Sequence, residues 1–257
     1  MMKTIVNGHE LQVEIAGPTE GAPVVLLHHG LGAIESWEEQ IPALAETGYR
    51  VIAYDRWGYG DSEARAGLSM PYFGEDLADL EVLVDQLEVS QAILVGHSDG
   101  GTIALYFTAR HPQRVAALVL VAAHIYVEAR MGAGINETRA AYENKERFRH
   151  GMGRVHGAKG ESLFWNWYHG WTNKAQLSWN IQPLLAQVRC PVLVVQGLED
   201  EHKTPQHAGD IAAALPNVRL WLEPEVGHML PQDKPEVFNR RVLEFLEEVV
   251  EVGIDVQ

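Results

Sequence analysis

The chain has 257 residues, a hydrophobic content of 46% and a net charge of −15, from 20 basic and 35 acidic side chains. Such a length and apolar share exclude a disordered chain and suit one large α/β domain with an insertion. The acidic balance lacks the basic stripe that nucleic acid requires and disfavours a polyanionic substrate. The single cysteine, Cys190, excludes an internal disulfide and reads as a small core residue ahead of an apolar strand. Met1 to Val6 has no charged leader followed by an apolar core, so no signal peptide is expected. No run approaches the ~20 apolar residues of a membrane span. A cytoplasmic protein without membrane or nucleic-acid partners is therefore expected.

In chain order, Lys3 to Val6 and Leu11 to Ile15 flank Asn7-Gly8, a pair suited to a type I′ hairpin turn. Pro23 to Leu27 is a short apolar run that reads as a buried strand, and it enters the loop His28-His29-Gly30-Leu31-Gly32. A helix is expected from Ser36 to Thr47, closed by Gly48. Arg50 to Asp55 reads as a strand, leading into Arg56-Trp-Gly-Tyr-Gly-Asp-Ser62. Tyr72 to Leu87 carries Leu77, Leu80, Val84 and Leu87 at helical spacing. Gln91 to Val95 is the next buried strand, and Gly101 to Arg110 the helix after it. Val115 to Val121 and Val192 to Gln196 read as further strands, with a helix from Pro205 to Leu215 following the second. A last strand, Val218 to Glu223, precedes a helix from Pro235 to Val250 with Val237, Val242, Phe245 and Leu246 facing inward. Gly253 to Gln257 reads as a loose tail. Buried strands alternating with helices imply a mostly parallel sheet covered on both faces.

The rhythm breaks over residues 124–187, which are first polar and helical and then aromatic, with Phe164, Trp165, Trp167, Tyr168, Trp171 and Trp179. We read this stretch as a helical cap inserted into a core formed by residues 1–123 and 188–257. Phe164, Tyr168 and Trp171 fall at i, i+4 and i+7 and so share a helical face, as the cap's own core or as a pocket wall. Trp167, with His124 and Tyr126 just after a strand, is a further candidate for the pocket lining, as is His29.

Gly96-His97-Ser98-Asp99-Gly100 stands between a buried strand and a helix. A serine at the apex of so tight a strand-to-helix turn is the context of a nucleophile elbow. A serine hydroxyl is a poor nucleophile near neutrality and needs a base, itself oriented by a third group. Of 12 histidines, His228 in Glu225-Val-Gly-His-Met229 follows the last strand on a loop that Gly227 frees to bend back over the sheet. The orienting acid should follow the strand at Val192 to Gln196, where Gly197-Leu-Glu-Asp200 offers Glu199 and Asp200. The order serine, acid, histidine is that of α/β-hydrolases. No residues have metal-ligand spacing: neighbours such as His28 and His29 rarely both face one ion. No phosphate loop occurs either, so no metal or cofactor is expected.

Across these motifs the whole chain resembles the α/β-hydrolase fold superfamily. The matching pieces are His29-Gly30-Leu31-Gly32, Asp55 to Ser62, Gly96 to Gly100, Gly197 to Asp200 with Pro205 beyond, and Gly227-His228. The resemblance is nearest to small capped serine esterases, a group that includes pimeloyl-carrier methyl ester esterases and carbon–carbon hydrolases. It implies an eight-stranded, mostly parallel sheet with helices on both faces and a helical cap after the sixth strand. It further implies Ser98 as nucleophile, His228 as base and then acid, Asp200 rather than Glu199 as the orienting carboxylate, and the backbone N–H groups of Leu31 and Asp99 as the oxyanion hole. The Asp99 side chain is then expected to turn away and cap or charge the helix N-terminus. Dehalogenases and epoxide hydrolases of this fold carry aspartate at the elbow, so serine at 98 steers toward acyl transfer. The expectation is a carboxylesterase acting on a small-molecule ester. A carbon–carbon hydrolase or lactonase with the same triad, and a ligand receptor on the same fold, are the alternatives.

Overall fold

The computed structural model of the protein describes residues 1–251, and the tail expected at Gly253 to Gln257 lies outside the described residues. One eight-stranded sheet runs through the molecule in the order β1-β2-β4-β3-β5-β6-β7-β8. β1 (Met2–Val6) and β2 (His9–Ala16) form the hairpin. Asn7 and Gly8 turn it with φ of 48° and 90°, the left-handed pair that a type I′ turn requires. β2 lies antiparallel to β4 (Arg50–Tyr54). From β4 the pairing is parallel through β3 (Pro23–Leu27), β5 (Ala92–His97), β6 (Val115–Val121), β7 (Val192–Gly197) and β8 (Val218–Glu223).

The period of two along these strands divides the interior. Val24, Leu26, Ile93, Val95, Val119 and Val195 face one core, and Val25, Leu27, Leu94, Leu118, Leu120 and Val194 face the other. The first core is covered by α1 (Gln40–Glu46) and α9 (Pro235–Glu251). The second is covered by α2 (Gly74–Gln86), α3 (Asp99–Arg110) and α7 (Gln206–Ala214). A sheet buried on both faces needs apolar residues at every position, which is why β3, β5 and β6 are continuous apolar runs.

Three helix readings shift in detail. The helix expected over Ser36 to Thr47 is a 3-10 turn, Ile34–Trp37, followed by α1. Pro42 explains the break, because its ring would clash with the carbonyl of Glu38 if the helix began earlier. On α9 the buried face is Phe238, Val242, Phe245, Leu246 and Val249, while Val237 is only half-buried. On α2 the buried set includes Leu83 in addition to Leu77, Leu80 and Val84, and Leu87 is half-buried.

Between β6 and β7 the chain forms α4 (Ala129–Asn144), α5 (Glu146–His156) and α6 (Gly160–Thr172). These helices pack on one another. Their buried residues join the second core, with the Tyr142 and Phe164 rings stacked 3.8 Å apart between them. Because β3 and β5 to β8 run the same way, the loops that follow them emerge along one sheet edge, where open α/β sheets build their sites.

Candidate active site

Ser98 sits between β5 and α3 with φ 57° and ψ −116°, a left-handed backbone held by its surroundings. Glycine is required on either side: a Cβ on Gly96 would meet the Gly100 carbonyl oxygen at 2.4 Å, and one on Gly100 would meet that of Leu27 at 2.1 Å. The turn aims Ser98 Oγ at His228, whose Nε2 is 2.9 Å away. His228 Nδ1 lies 2.9 Å from Asp200 Oδ2. All three side chains are buried, and Glu199, the other candidate acid, is exposed.

Asp200 is held from several sides. Its carboxylate accepts hydrogen bonds from Gln196 Nε2 at 2.7 Å and from the backbone N–H groups of His202 and Lys203. Burial alone would raise its pKa, but its pairing and hydrogen bond with His228, with the Lys203 charge nearby, hold it below the ordinary carboxylate range. An ionised carboxylate only accepts, so His228 carries its proton on Nδ1 and offers a bare Nε2 to the serine hydroxyl. His97 donates from Nε2 to the His228 carbonyl at 2.9 Å, and His228 N–H donates to Glu201 Oε2 at 3.2 Å, which fixes the loop carrying the imidazole.

The loop after β3 is anchored through the His29 carbonyl. His28 Nδ1 donates to it at 2.8 Å and Arg56 Nη2 at 3.2 Å, with Arg56 in turn paired to Asp76 in the interior. His156 on α5 accepts from Gly60 N–H at 2.9 Å and donates to the Leu31 carbonyl at 3.0 Å. Leu31 N–H makes only a long bond of 3.4 Å to His29 Nδ1. Across the turn, the first N–H groups of α3 have no partner within the helix.

A cavity of about 480 Å³ opens above Ser98. His29, Leu31, Asp99, His124, Trp167 and Trp171 are in its wall, as are Met131, Ile135 and Phe148 from the inserted helices. Two residues expected there lie elsewhere. Tyr126 stacks on His207 with ring centroids 4.1 Å apart and donates its hydroxyl to Asp210 at 2.9 Å. Tyr168 bonds Asn136 and lies under Arg139. The buried face of α6 runs through Leu163, Phe164, Trp167 and Trp171, and Tyr168 is a further 100° around from Trp167. Phe164 belongs to the core between the inserted helices.

Asp99 also departs from expectation. Its side chain makes no cap bond, and neither carboxyl oxygen has a partner within hydrogen-bond distance among the described residues, with His124 Nε2 standing 3.6 Å from Oδ1. Asp99 is the first helical residue, and side chains on a helix tilt toward its N-terminus, which here is the cavity side. Burial pushes its pKa up to about 6, against the opposing pull of Arg56 and Lys203.

Sequence reading missed His97, His156, His202 and Lys203. The last is fully covered, whereas a lysine in a loop is by default read as solvated.

A profile of the alpha/beta hydrolase fold family matches residues 23–139. The serine hydrolase BPHL of Mus musculus is 30% identical over 256 residues, covering 95% of this chain and 86% of that protein. A bifunctional esterase/perhydrolase of Acinetobacter calcoaceticus is 27% identical over 274 residues, covering 95% and 98%. Among solved structures, a thermophilic esterase from Thermogutta terrifontis aligns with a TM-score of 0.77 at 21% identity over 97% of this chain and 99% of that one, a likeness of fold.

Proposed function

The chain belongs to the α/β-hydrolase fold family, and from that premise we propose that it is a serine hydrolase cleaving small, uncharged, fairly apolar carboxylic esters through an acyl-enzyme. The observation that carries the reading is the unbroken chain of contacts from Ser98 Oγ to His228 Nε2, and from His228 Nδ1 to Asp200, each 2.9 Å long, with Ser98 and His228 lining the cavity. In this reading Ser98 Oγ attacks the ester carbonyl as its proton passes to His228 Nε2. The N–H groups of Leu31 and Asp99 receive the developing oxyanion, each of such donors lowering the barrier by about 2.7–4 kcal/mol. His228 returns the proton to the leaving alcohol, and a water repeats the sequence on the acyl-enzyme.

The wall supports the substrate class. Met131, Ile135, Phe148, Trp167 and Trp171 give apolar surface, and the acids Asp99, Glu137 and Glu201 disfavour a negatively charged group on the substrate. Two of the relatives, a serine hydrolase and a bifunctional esterase/perhydrolase, carry names that support the reading.

The test is turnover of p-nitrophenyl acetate and butyrate by the wild type and Ser98→Ala. The variant should lose at least about a thousandfold in kcat. Wild-type Ser98 should also react with a fluorophosphonate. Labelling without turnover would leave the receptor reading standing, and failure of both would remove the triad assignment.

A further inference from the structure

Ser98 Oγ has a second imidazole beside it. His124, which follows β6, places Nε2 3.2 Å from Oγ and Nδ1 3.0 Å from Lys203 Nζ. Both side chains are buried, and Lys203 also donates to the Ala122 carbonyl oxygen. An ammonium group has three donors and no acceptor. Against a charged Lys203, His124 Nδ1 can only accept, and a neutral imidazole with Nδ1 accepting carries its proton on Nε2. His124 is kept neutral, because burial and then the Lys203 charge hold its pKa well below the ordinary imidazole value. The two imidazoles at Ser98 are thus opposite in character. His228 presents a bare nitrogen and His124 an N–H.

Building on the serine-hydrolase reading, we propose that Lys203 locks His124 in the Nε2–H tautomer. His124 is then a further catalytic residue, donating a hydrogen bond to Ser98 Oγ and leaving His228 as the single acceptor for the seryl proton. One proton moves in the step, from Oγ to His228 Nε2. That of His124 stays on Nε2, and its bond strengthens while partial charge passes through Oγ, before the new C–O bond carries that charge to the carbonyl oxygen. His124 is not a second base, since both its nitrogens are committed. Lys203 acts through His124 and is a positioning residue.

The charges around Lys203 set when the lock opens. Asp200 and Glu201 on the loop after β7, Asp99 on α3 and Glu128 ahead of α4 favour its charged form. His97 on β5, His124, His202 and His207 on α7 are its neighbouring imidazoles, and His228 after β8 shares Asp200 with it. Burial is the larger effect and brings its pKa down to about 8. Above that pH, Lys203 Nζ can accept, and His124 is free to move its proton to Nδ1.

Nitrogen-15 NMR of the imidazoles in the wild-type protein reads the tautomer with no substitution and no substrate. His124 should carry its proton on Nε2 at pH 7 and lose that preference above about pH 8. Fluorophosphonate labelling of Ser98 should slow at least about tenfold in His124→Phe, the loss of a hydrogen bond to a charged group. His124→Gln, which restores an N–H, should recover part of that rate. Lys203→Met should slow labelling and abolish its change near pH 8. A proton on Nδ1 in the wild type at pH 7, or wild-type labelling by a folded His124→Phe, would overturn the proposal. If His124→Phe does not fold, the wild-type NMR still decides the tautomer. A wild type that neither labels nor turns over esters would sink the serine-hydrolase reading instead.

Discussion

Asp200 shows how one side chain acts through another. It accepts from His228 Nδ1, which fixes the tautomer and ring orientation and leaves Nε2 facing the Ser98 hydroxyl. Asp200→Asn would keep the shape but offer an N–H to Nδ1, turning the imidazole into the wrong tautomer. Ester turnover should fall roughly 10⁴-fold with the fold intact, measured as kcat beside a circular-dichroism spectrum. Glu199→Gln should leave kcat unchanged, because that side chain is exposed. The choice between these neighbouring acids was open to residue reading and needed the family resemblance. In the structure, burial separates them.

At the scale of elements, α5 reaches the loop after β3 through His156. The imidazole bridges Gly60 N–H and the Leu31 carbonyl, and burial lowers its pKa to about 4, so it is neutral at pH 7. His156→Ala would leave both backbone groups without their partner, a destabilisation of about 1–3 kcal/mol. It would also loosen the loop that presents the Leu31 N–H. We expect kcat to fall roughly ten- to a hundredfold with KM changing less, since a small misplacement at a donor acts on the transition state. Steady-state kinetics with a denaturation midpoint separate the two effects. The inserted helices thus line the cavity over Ser98 and also brace the loop after β3. No pattern in residues 124–187 announced this, because a histidine at a helix end has no periodicity to betray its partner.

For the whole molecule, the histidines dominate the response to acid. His28, His97, His124, His156 and His207 are buried, with pKa values lowered from the ordinary 6.5 chiefly by burial. Below pH 6.5 the unfolded chain takes up protons that these folded side chains refuse, so stability falls as pH falls. Asp99 works the other way, since its raised pKa stabilises the fold as pH drops toward about 6 and below. Asp55 and Asp79, whose pKa burial also raises, act the same way, and His29 and His202 join the lowered imidazoles, so three groups stand against seven. Between pH 7 and pH 4 the free energy of unfolding should decline by an amount on the order of a few kcal/mol, seen as a falling urea midpoint by tryptophan fluorescence. A midpoint constant over that range would mean that the interior imidazoles accept protons in the folded state.

What the residues determined unaided was local. The strands, the elbow at Ser98 and the loop positions of the acid and His228 follow from apolar runs, turn chemistry and glycines where a Cβ cannot fit, all set within a few residues of chain. What tertiary structure decided was convergence and phase. The rotation of α6 brought Trp167 and Trp171 to the cavity and carried Tyr168 away, and packing on His207 took Tyr126 with it. Lys203 meets His124 from 79 positions along the chain. Contacts of that kind depend on how whole elements dock, which no local spacing encodes.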